Sequence, residues 1–150
     1  MCNATMDIAL LDHPARAVEW SPCPSGGAEC NFLGRTRPET HPEHGPLVAL
    51  DYEGYQPMAR RMLEELARTA ASKWPCLGVR IHHSLGTVAL GEASVFISVV
   101  TAHRNDAFEA CRWLIDTLKA QVPIWKHEQW TDGQSWAEGH LPTASAAEDS

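Results

Sequence analysis

Two of the chain's three lysines stand close together near its C-terminal end, among aromatic residues. Lys119 and Lys126 are seven residues apart, and Trp125 and Trp130 flank the second in the segment VPIWKHEQW. Apolar cover lowers the pKa of a lysine towards the range of acid–base chemistry, whereas Glu128 would hold it charged as an ion-pair partner. Lys126 could equally extend outward past core tryptophans, and Lys119 could simply stabilise a helix C-terminus. Spacing alone leaves these explanations open.

Further basic residues stand where strands and helices are predicted to end. Arg35 and Arg37 end a predicted strand, and His103 and Arg104 immediately precede a predicted helix. A helix N-terminus favours anions, because its free N–H groups and its dipole are both positive there. Each of these side chains could also be solvated or cap the helix, so none of them indicates a site by itself.

The composition limits the class of protein. A chain of 150 residues with 44% hydrophobic and 21% charged residues predicts one globular domain over 1–150, with a polar tail from about 140. The net charge of −7 argues against nucleic-acid binding, although it allows a small basic pocket. Neither a membrane span nor a signal pattern is present, and the five cysteines lack C-x-x-C spacing, which is typical of reduced thiols. We therefore expect a cytoplasmic protein without membrane contact.

Eight histidines raise the question of a metal site. His82 and His83 are adjacent, so on a strand they face opposite ways. His41 and His44 lie with Glu43 in PETHPEHGP, a predicted mobile loop, but not at a recognised ligand spacing, and we expect them to be solvated. We expect no metal, no resident cofactor and no cysteine nucleophile, since the cysteines lie in or beside apolar segments where inert thiols are common.

The strands that must position these residues are predicted from short apolar or alternating segments. They cover residues 6–10, 29–37, 47–55, 79–83, 87–90 and 94–102. The last is apolar on both faces and is expected at the centre of its sheet, and Gly34 marks a bulge in the second. The segments 13–27 and 130–139 are expected to be irregular or turn-rich.

Two helices are predicted from apolar residues that recur at helical spacing. The first runs from Pro57 to about Trp74, and the second from Asn105 or Asp106, either of which could cap it, to about Ala120 before Pro123. The expected apolar stripes are Met58, Met62, Leu63, Leu66, Ala67 and Ala70 in the first helix, and Phe108, Cys111, Leu114, Ile115 and Leu118 in the second. Strands and helices in this mixed order predict an α+β domain with a largely antiparallel sheet.

In chain order, these segments resemble a known family. The most specific motifs are AHRxxAFxA at 102–110 and IDxLKxxxPIWKxE at 115–128, supported by GGAECNFLGRTR at 26–37 and HHSLGTVALGEASV at 82–95. From about Asp7 to Gly139 the chain is similar to the MoaE family, the large catalytic subunits of molybdopterin synthase.

The resemblance implies an α/β hammerhead fold with an additional antiparallel β subdomain. It implies a sulfurtransferase of molybdenum cofactor biosynthesis, which converts cyclic pyranopterin monophosphate (precursor Z) to molybdopterin by installing two sulfurs. The sulfur would come from the thiocarboxylated C-terminal Gly-Gly of a small ubiquitin-like (MoaD-like) carrier, within a heterotetramer built on a homodimer of large subunits. The alternatives are a non-catalytic adaptor that binds the carrier tail or an anionic pterin, and a generic interaction domain.

The resemblance also carries the family's site onto this chain. The implied catalytic residues are Lys119 and Lys126. The implied substrate-binding residues are Arg35, Thr36, Arg37, His103, Arg104, His127 and Glu128. Charge-assisted hydrogen bonds from Arg37, His103 and Arg104 would bind the phosphate and the polar edge of the pterin. Lys119 would stabilise an oxyanion or move protons beside the carrier's C-terminus, and Lys126, oriented by Glu128, would neutralise phosphate or a leaving group.

Three positions depart from the family pattern. Ser84 replaces a common arginine, His127 stands where a second basic residue is frequent, and His140, four residues beyond Trp136, replaces an arginine that in some members reaches the neighbouring subunit. Each departure lowers the local positive charge, so we expect weaker or more pH-sensitive substrate binding. Pro123 is expected to turn the chain so that both lysines face one pocket, with Trp125 as its apolar wall.

Overall fold

A computed structural model describes residues 4–136, which form two β-sheets and two long helices. The elements are β1 Thr5–Leu11, β2 Ala28–Arg35, β3 Thr40–His41, β4 Gly45–Gly54, α1 Gln56–Lys73, β5 Cys76–Ser84, β6 Gly86–Ala89, β7 Ala93–Thr101, α2 Arg104–Gln121, β8 Ile124–Trp130 and β9 Gly133–Trp136. The predicted α+β class is confirmed. The polar tail and His140 lie outside the described residues.

The first sheet has the strand order β1-β5-β7-β2, with β1 parallel to β5 and the other pairs antiparallel. Every residue of β7 is buried, and this strand lies between two others, as its uniformly apolar sequence predicts. The predicted bulge in β2 is present between Gly34 and Arg35. A Cβ atom at Gly34 would stand 2.8 Å from Cγ1 of Val95, so the strand can approach β7 this closely only without a side chain there.

Both helices pack on one face of this sheet, α1 against β1 and β5 and α2 against β2 and β7. Pro57 lies in the first turn of α1, and α2 ends before Pro123, as predicted. The predicted stripes are wrong at their N-terminal ends, because Met58 is 41% exposed and Phe108 is 62% exposed. The neighbouring alanines Ala59 and Ala107 are buried instead, since small residues allow each helix to approach the sheet.

The helix-capping prediction is also wrong. The N-cap of α2 is His103, which makes no side-chain cap hydrogen bond, while Asn105 and Asp106 lie inside the first turn. An acidic side chain there still stabilises the positive end of the helix dipole. No helix within residues 4–136 is long and apolar enough to cross a membrane.

The second sheet has the order β3-β4-β8-β9, and β6 also pairs with β4. The segment VPIWKHEQW, in which no strand is predicted, contains β8, and this strand lies between β4 and β9. The turn-rich segment after it contains β9, and the predicted mobile loop contains β3, which pairs with the start of β4 across a turn. These short strands form because β4 and β8 supply backbone partners for them.

The irregular segment between β1 and β2 covers the other face of the first sheet. Trp20 Nε1 donates to Ser98 Oγ at 2.7 Å, and the guanidinium of Arg80 lies 4.0 Å from the Trp20 ring centroid. Arg80 also pairs with Asp7 at 2.7 Å. With one face covered by helices and the other by this segment, the first sheet is a fixed wall for the site.

Candidate active site

A cavity of about 240 Å³ lies between the two sheets at the C-terminal end of α2. Its charged wall is formed by four basic residues and one acidic residue, namely Arg35, Arg37, Lys119, Lys126 and Glu39. Aliphatic side chains such as Leu118 and Ile124 line a further part of the wall. A chain with a net charge of −7 therefore encloses a locally basic cavity, which suits a small anion with an apolar body.

The end of α2 and the start of β8 bring the two lysines to this cavity. Lys119 lies in the last turn of α2, which ends at Gln121 with Val122 as its C-cap. The chain then turns through Pro123 into β8, where Lys126 is the third residue. Burial lowers the pKa of Lys126, and the charge of Lys119 lowers it further, while the carboxylates of Glu128 and Glu39 oppose the shift. The two ammonium groups repel each other, and because both lysines line the same cavity, both can contribute to binding one anionic ligand there.

The bulge of β2 presents three consecutive site residues to the cavity. The Arg35 guanidinium donates to the Gly91 carbonyl oxygen at 3.0 Å, which anchors it at the rim. Thr36 is only 3% exposed, and its Oγ1 has no hydrogen-bond partner among the described residues. Arg37 is largely exposed and lies 3.9 Å from Glu39. A buried, unpartnered hydroxyl beside basic side chains is an available hydrogen-bonding group for a ligand.

Strand alternation separates the two residues that follow Lys126. Glu128 shares the face of Lys126, and its carboxylate accepts a hydrogen bond from Ser135 Oγ at 2.9 Å. His127 points to the opposite face, where its ring stacks on Trp136 with centroids 4.5 Å apart. The structure therefore does not bring His127 to the cavity. This geometry was accessible from sequence only if the segment had been recognised as a strand.

On that opposite face His127 lies beside two carboxylates. The potential ligand atoms of Asp51, Glu53 and His127 lie within 4.8 Å of one another. Asp51 faces His127 directly in the pairing of β4 with β8. Glu53 is two residues further along and pairs with Trp125. The prediction that Trp125 walls the cavity is wrong, since it lies on the face that Lys126 does not share.

His103 and Arg104 lie at the other end of α2 from Lys119. Both side chains are exposed. The backbone carbonyl oxygen of His103 accepts a hydrogen bond from Thr101 Oγ1 at 2.6 Å. Lys119 lies fifteen positions after Arg104 in the helix, a distance of about 22 Å along the axis. Within one chain, these two residues cannot contact a ligand that fills the cavity beside the lysines.

The histidine-rich turn differs from the solvated loop that the sequence predicts. The rings of His41 and His44 stack with centroids 4.4 Å apart, and His41 also lies against Trp130. His41 Nδ1 accepts from the backbone N–H groups of Glu43 and His44 at 3.0 and 3.2 Å. These histidines stabilise the turn between β3 and β4.

The sequence does not predict three uncharged polar residues of the cavity wall as site residues: Tyr52, His83 and Ser94. Tyr52 and His83 meet edge to face with ring centroids 5.3 Å apart, and burial raises the pKa of Tyr52. The available signal was the alternation Val79-Ile81-His83 on β5, in which a histidine continues an aliphatic row.

Comparison with known proteins identifies the family to which this fold and cavity belong. The family model described as MoaE protein matches residues 5–121. This chain belongs to the MoaE family. The resemblance based on the motifs at 102–110 and 115–128 is thereby confirmed.

Members of the MoaE family from several organisms are similar to this chain. It is 43% identical to the molybdopterin synthase catalytic subunit of Arabidopsis thaliana over 81% of its own length, and spans 60% of that protein. It is 42% identical to the molybdopterin synthase catalytic subunit of Nostoc sp. over 74% of its own length and 67% of the relative. The molybdopterin synthase structure from Staphylococcus aureus superimposes with a TM-score of 0.78 at 32% identity, covering 85% of this chain and 93% of that one. The predicted hammerhead fold with an antiparallel addition is confirmed by this likeness.

One departure from the MoaE pattern has a structural explanation in this chain. Ser84 is completely buried, and its Oγ donates to the His13 carbonyl oxygen at 2.7 Å. The hydroxyl therefore fastens the segment after β1 to the end of β5. It is not among the residues that line the cavity.

Proposed function

We propose that this MoaE-family chain is the large, catalytic subunit of a molybdopterin synthase. It converts cyclic pyranopterin monophosphate to molybdopterin, and the two sulfurs come from the thiocarboxylated C-terminus of a small ubiquitin-like subunit. Family membership and the names of the similar proteins support this reaction. The cavity supports it independently, through the chemistry of its wall.

The observation that carries the proposal is the convergence of Lys119 and Lys126 on one cavity with Arg35 and Arg37. A cyclic phosphate fused to a heterocycle needs both cationic donors and an apolar surface, and this cavity offers both. In such a partly enclosed site, ammonium groups stabilise developing negative charge more strongly than they would in water. Lys119 is exposed and can meet a carrier tail at the cavity mouth, whereas Lys126 is partly buried and faces the bound anion.

The state of the cysteines is consistent with sulfur that is delivered by a partner. Burial raises the pKa of Cys76 to about 11 and that of Cys111 to about 12, so both remain protonated and are poor nucleophiles at neutral pH. No cysteine is among the residues of the described chain that line the cavity. The four described cysteines are free thiols, which also supports a cytoplasmic location as part of the proposal.

The positions of His103 and Arg104 bear on the assembly. If both bind the substrate, as the family pattern implies, a second copy of the chain must deliver them, because α2 holds them about 22 Å from Lys119. A homodimer of large subunits with a carrier at each end, a heterotetramer, is therefore the assembly that we propose. Each active site would then combine Lys119 and Lys126 of one subunit with His103 and Arg104, at the N-terminus of α2, of the other.

The activity is tested by mixing the purified chain with a thiocarboxylated carrier and cyclic pyranopterin monophosphate, and measuring dithiolene product. Lys119→Ala should lower turnover by about a hundredfold or more. Lys73→Ala is the matched control, because the only other lysine lies over Trp74 and Trp113 at the end of α1, away from the cavity. If the wild type forms no product, the proposed enzymatic function is refuted, and the alternative of a non-catalytic adaptor remains. Equal turnover in Lys119→Ala and wild type would refute the role of Lys119.

The shared site is tested by subunit mixing. Lys119→Ala and Arg104→Ala chains are each expected to be poorly active, and after exchange each mixed dimer regains one intact site. Random mixing should then restore about a quarter of the wild-type activity, since half of the dimers are mixed. No recovery after demonstrated subunit exchange would show that Arg104 does not act across the dimer.

A further inference from the structure

His83 occupies a place in β5 where an aliphatic residue would continue the core. Val79 and Ile81 precede it on the helix-facing side of the first sheet, and both are fully buried. His83 is itself only 5% exposed, yet it reaches the cavity wall beside Tyr52. An imidazole loses the hydration of its two ring nitrogens when it is buried, and an aliphatic side chain has no such cost. Hydrogen-bond partners for both nitrogens would offset the loss.

Hydrogen bonding determines which ring nitrogen carries the proton. Nδ1 lies 2.8 Å from the carbonyl oxygen of Ser84, which can only accept, so Nδ1 is the donor. Burial lowers the pKa of His83 to about 4, and the charge of Lys119 contributes to the shift. The ring is therefore neutral at pH 7, and its Nε2 is an acceptor. The hydrogen bond that the structure gives this ring within residues 4–136 is the one at Nδ1, which leaves Nε2 available to a ligand in the cavity.

This acceptor differs in kind from its charged neighbours. The arginines and lysines of the cavity only donate hydrogen bonds, and they suit the oxygens of a phosphate. Glu39 can accept, but its side chain is 46% exposed and lies beside Arg37. His83 thus gives the cavity wall that contains Lys119 an uncharged acceptor, which an unprotonated phosphate oxygen cannot use.

We propose that His83 is a substrate-binding residue, whose Nε2 accepts a hydrogen bond from an N–H or O–H group of the bound heterocycle. This inference rests on the proposed function, because it assigns the donor edge of the pterin to His83 and the phosphate to the basic residues. His83 thereby orients the substrate and discriminates against anions that present acceptors only. A site built to hydrogen-bond a donor rejects ligands that lack it, since its buried acceptor is then left unpaired.

The inference is tested by measuring two dissociation constants, for cyclic pyranopterin monophosphate and for inorganic sulfate, whose oxygens are all unprotonated at neutral pH. His83→Phe keeps a planar ring but removes the acceptor, and it should weaken pterin binding about tenfold while sulfate binding is unchanged. His83→Gln carries an amide oxygen and should recover most of the affinity. Equal pterin affinity in the wild type and His83→Phe would overturn the inference, and so would a parallel loss of sulfate binding, which indicates general damage to the cavity.

The role of His83 can also be tested by NMR on the wild-type chain, without any substitution. With ¹⁵N-labelled histidine, the Nε2 resonance of His83 should report an unprotonated nitrogen and shift on addition of the pterin, but not of sulfate. An unchanged resonance at saturating pterin would contradict the inference and leave the proposed function intact. A wild-type chain that binds no pterin would instead refute the proposed function, and the assignment of His83 with it.

Discussion

Acidification should destabilise this protein through His83, because the folded state keeps that ring neutral. The pKa of His83 is about 4 in the folded chain, against an ordinary value of 6.5, and burial is the main cause. Between these two values the unfolded chain binds more protons than the folded one, so the free energy of unfolding rises with pH there. The contribution of His83 to the free energy of unfolding is therefore fully present above pH 6.5 and is lost as the pH falls towards 4.

The size of the effect follows from the same two values. At pH 5 the unfolded imidazole is almost wholly protonated and the folded one is about nine-tenths neutral, which gives a loss of about 2 kcal/mol relative to pH 8. Below pH 4 the loss approaches about 3.4 kcal/mol, the full difference between the two protonation free energies. A change of this size is a substantial part of the stability of a typical domain.

Urea unfolding followed by tryptophan fluorescence measures this loss at pH 8, 7, 6 and 5. His83→Gln is the comparison, because every other titrating group is common to both proteins and cancels in the difference. Protein concentration is held constant, since assembly changes apparent stability. The wild type should lose about 2 kcal/mol more than His83→Gln between pH 8 and pH 5. Parallel pH profiles for the two proteins would refute the conclusion that folding keeps His83 neutral.

Two further predictions concern charge in the cavity and packing of α2. Burial and Lys119 lower the pKa of Lys126 below its ordinary 10.5, so affinity for an anionic substrate should fall with rising pH at a midpoint below that value. Lys126→Arg should abolish this dependence in a binding titration, and coincident profiles for the two proteins would count against it. Leu114→Ala should cost about 2–5 kcal/mol in urea unfolding, whereas Phe108→Ala should change stability by less than about 1 kcal/mol. Equal losses in the two variants would contradict the burial of Leu114 and the exposure of Phe108.

Much of the scaffold was accessible from local sequence. The helices were found because apolar residues recur at helical spacing between Pro57 and Pro75 and again before Pro123. The central strand β7 was found because it is apolar on both faces, and the bulge because a glycine interrupts a strand. Prolines, glycines and periodicity act over a few residues, so they are visible without knowledge of the fold.

The errors arose where a partner strand or a packed face decides the outcome. VPIWKHEQW does not alternate clearly between apolar and polar residues, and it becomes a strand because β4 and β9 flank it. That pairing divides Lys126 and Glu128 from His127 and Trp125, which the sequence had treated as one constellation. Met58 and Phe108 were misplaced for a related reason, since helical spacing does not say which arc of the helix faces the sheet.

The sequence by itself determined the family, the order of most elements and the residues able to do chemistry, because motifs, breaks and periodicity are local properties of the chain. Only the tertiary structure decided which of those residues meet. The cavity forms where the end of α2 lies between two sheets, and it gathers side chains from distant segments, including His83. The tertiary structure also places His103 and Arg104 at the opposite end of α2 from Lys119. Such proximity depends on packing between elements, and no local pattern in the chain encodes it.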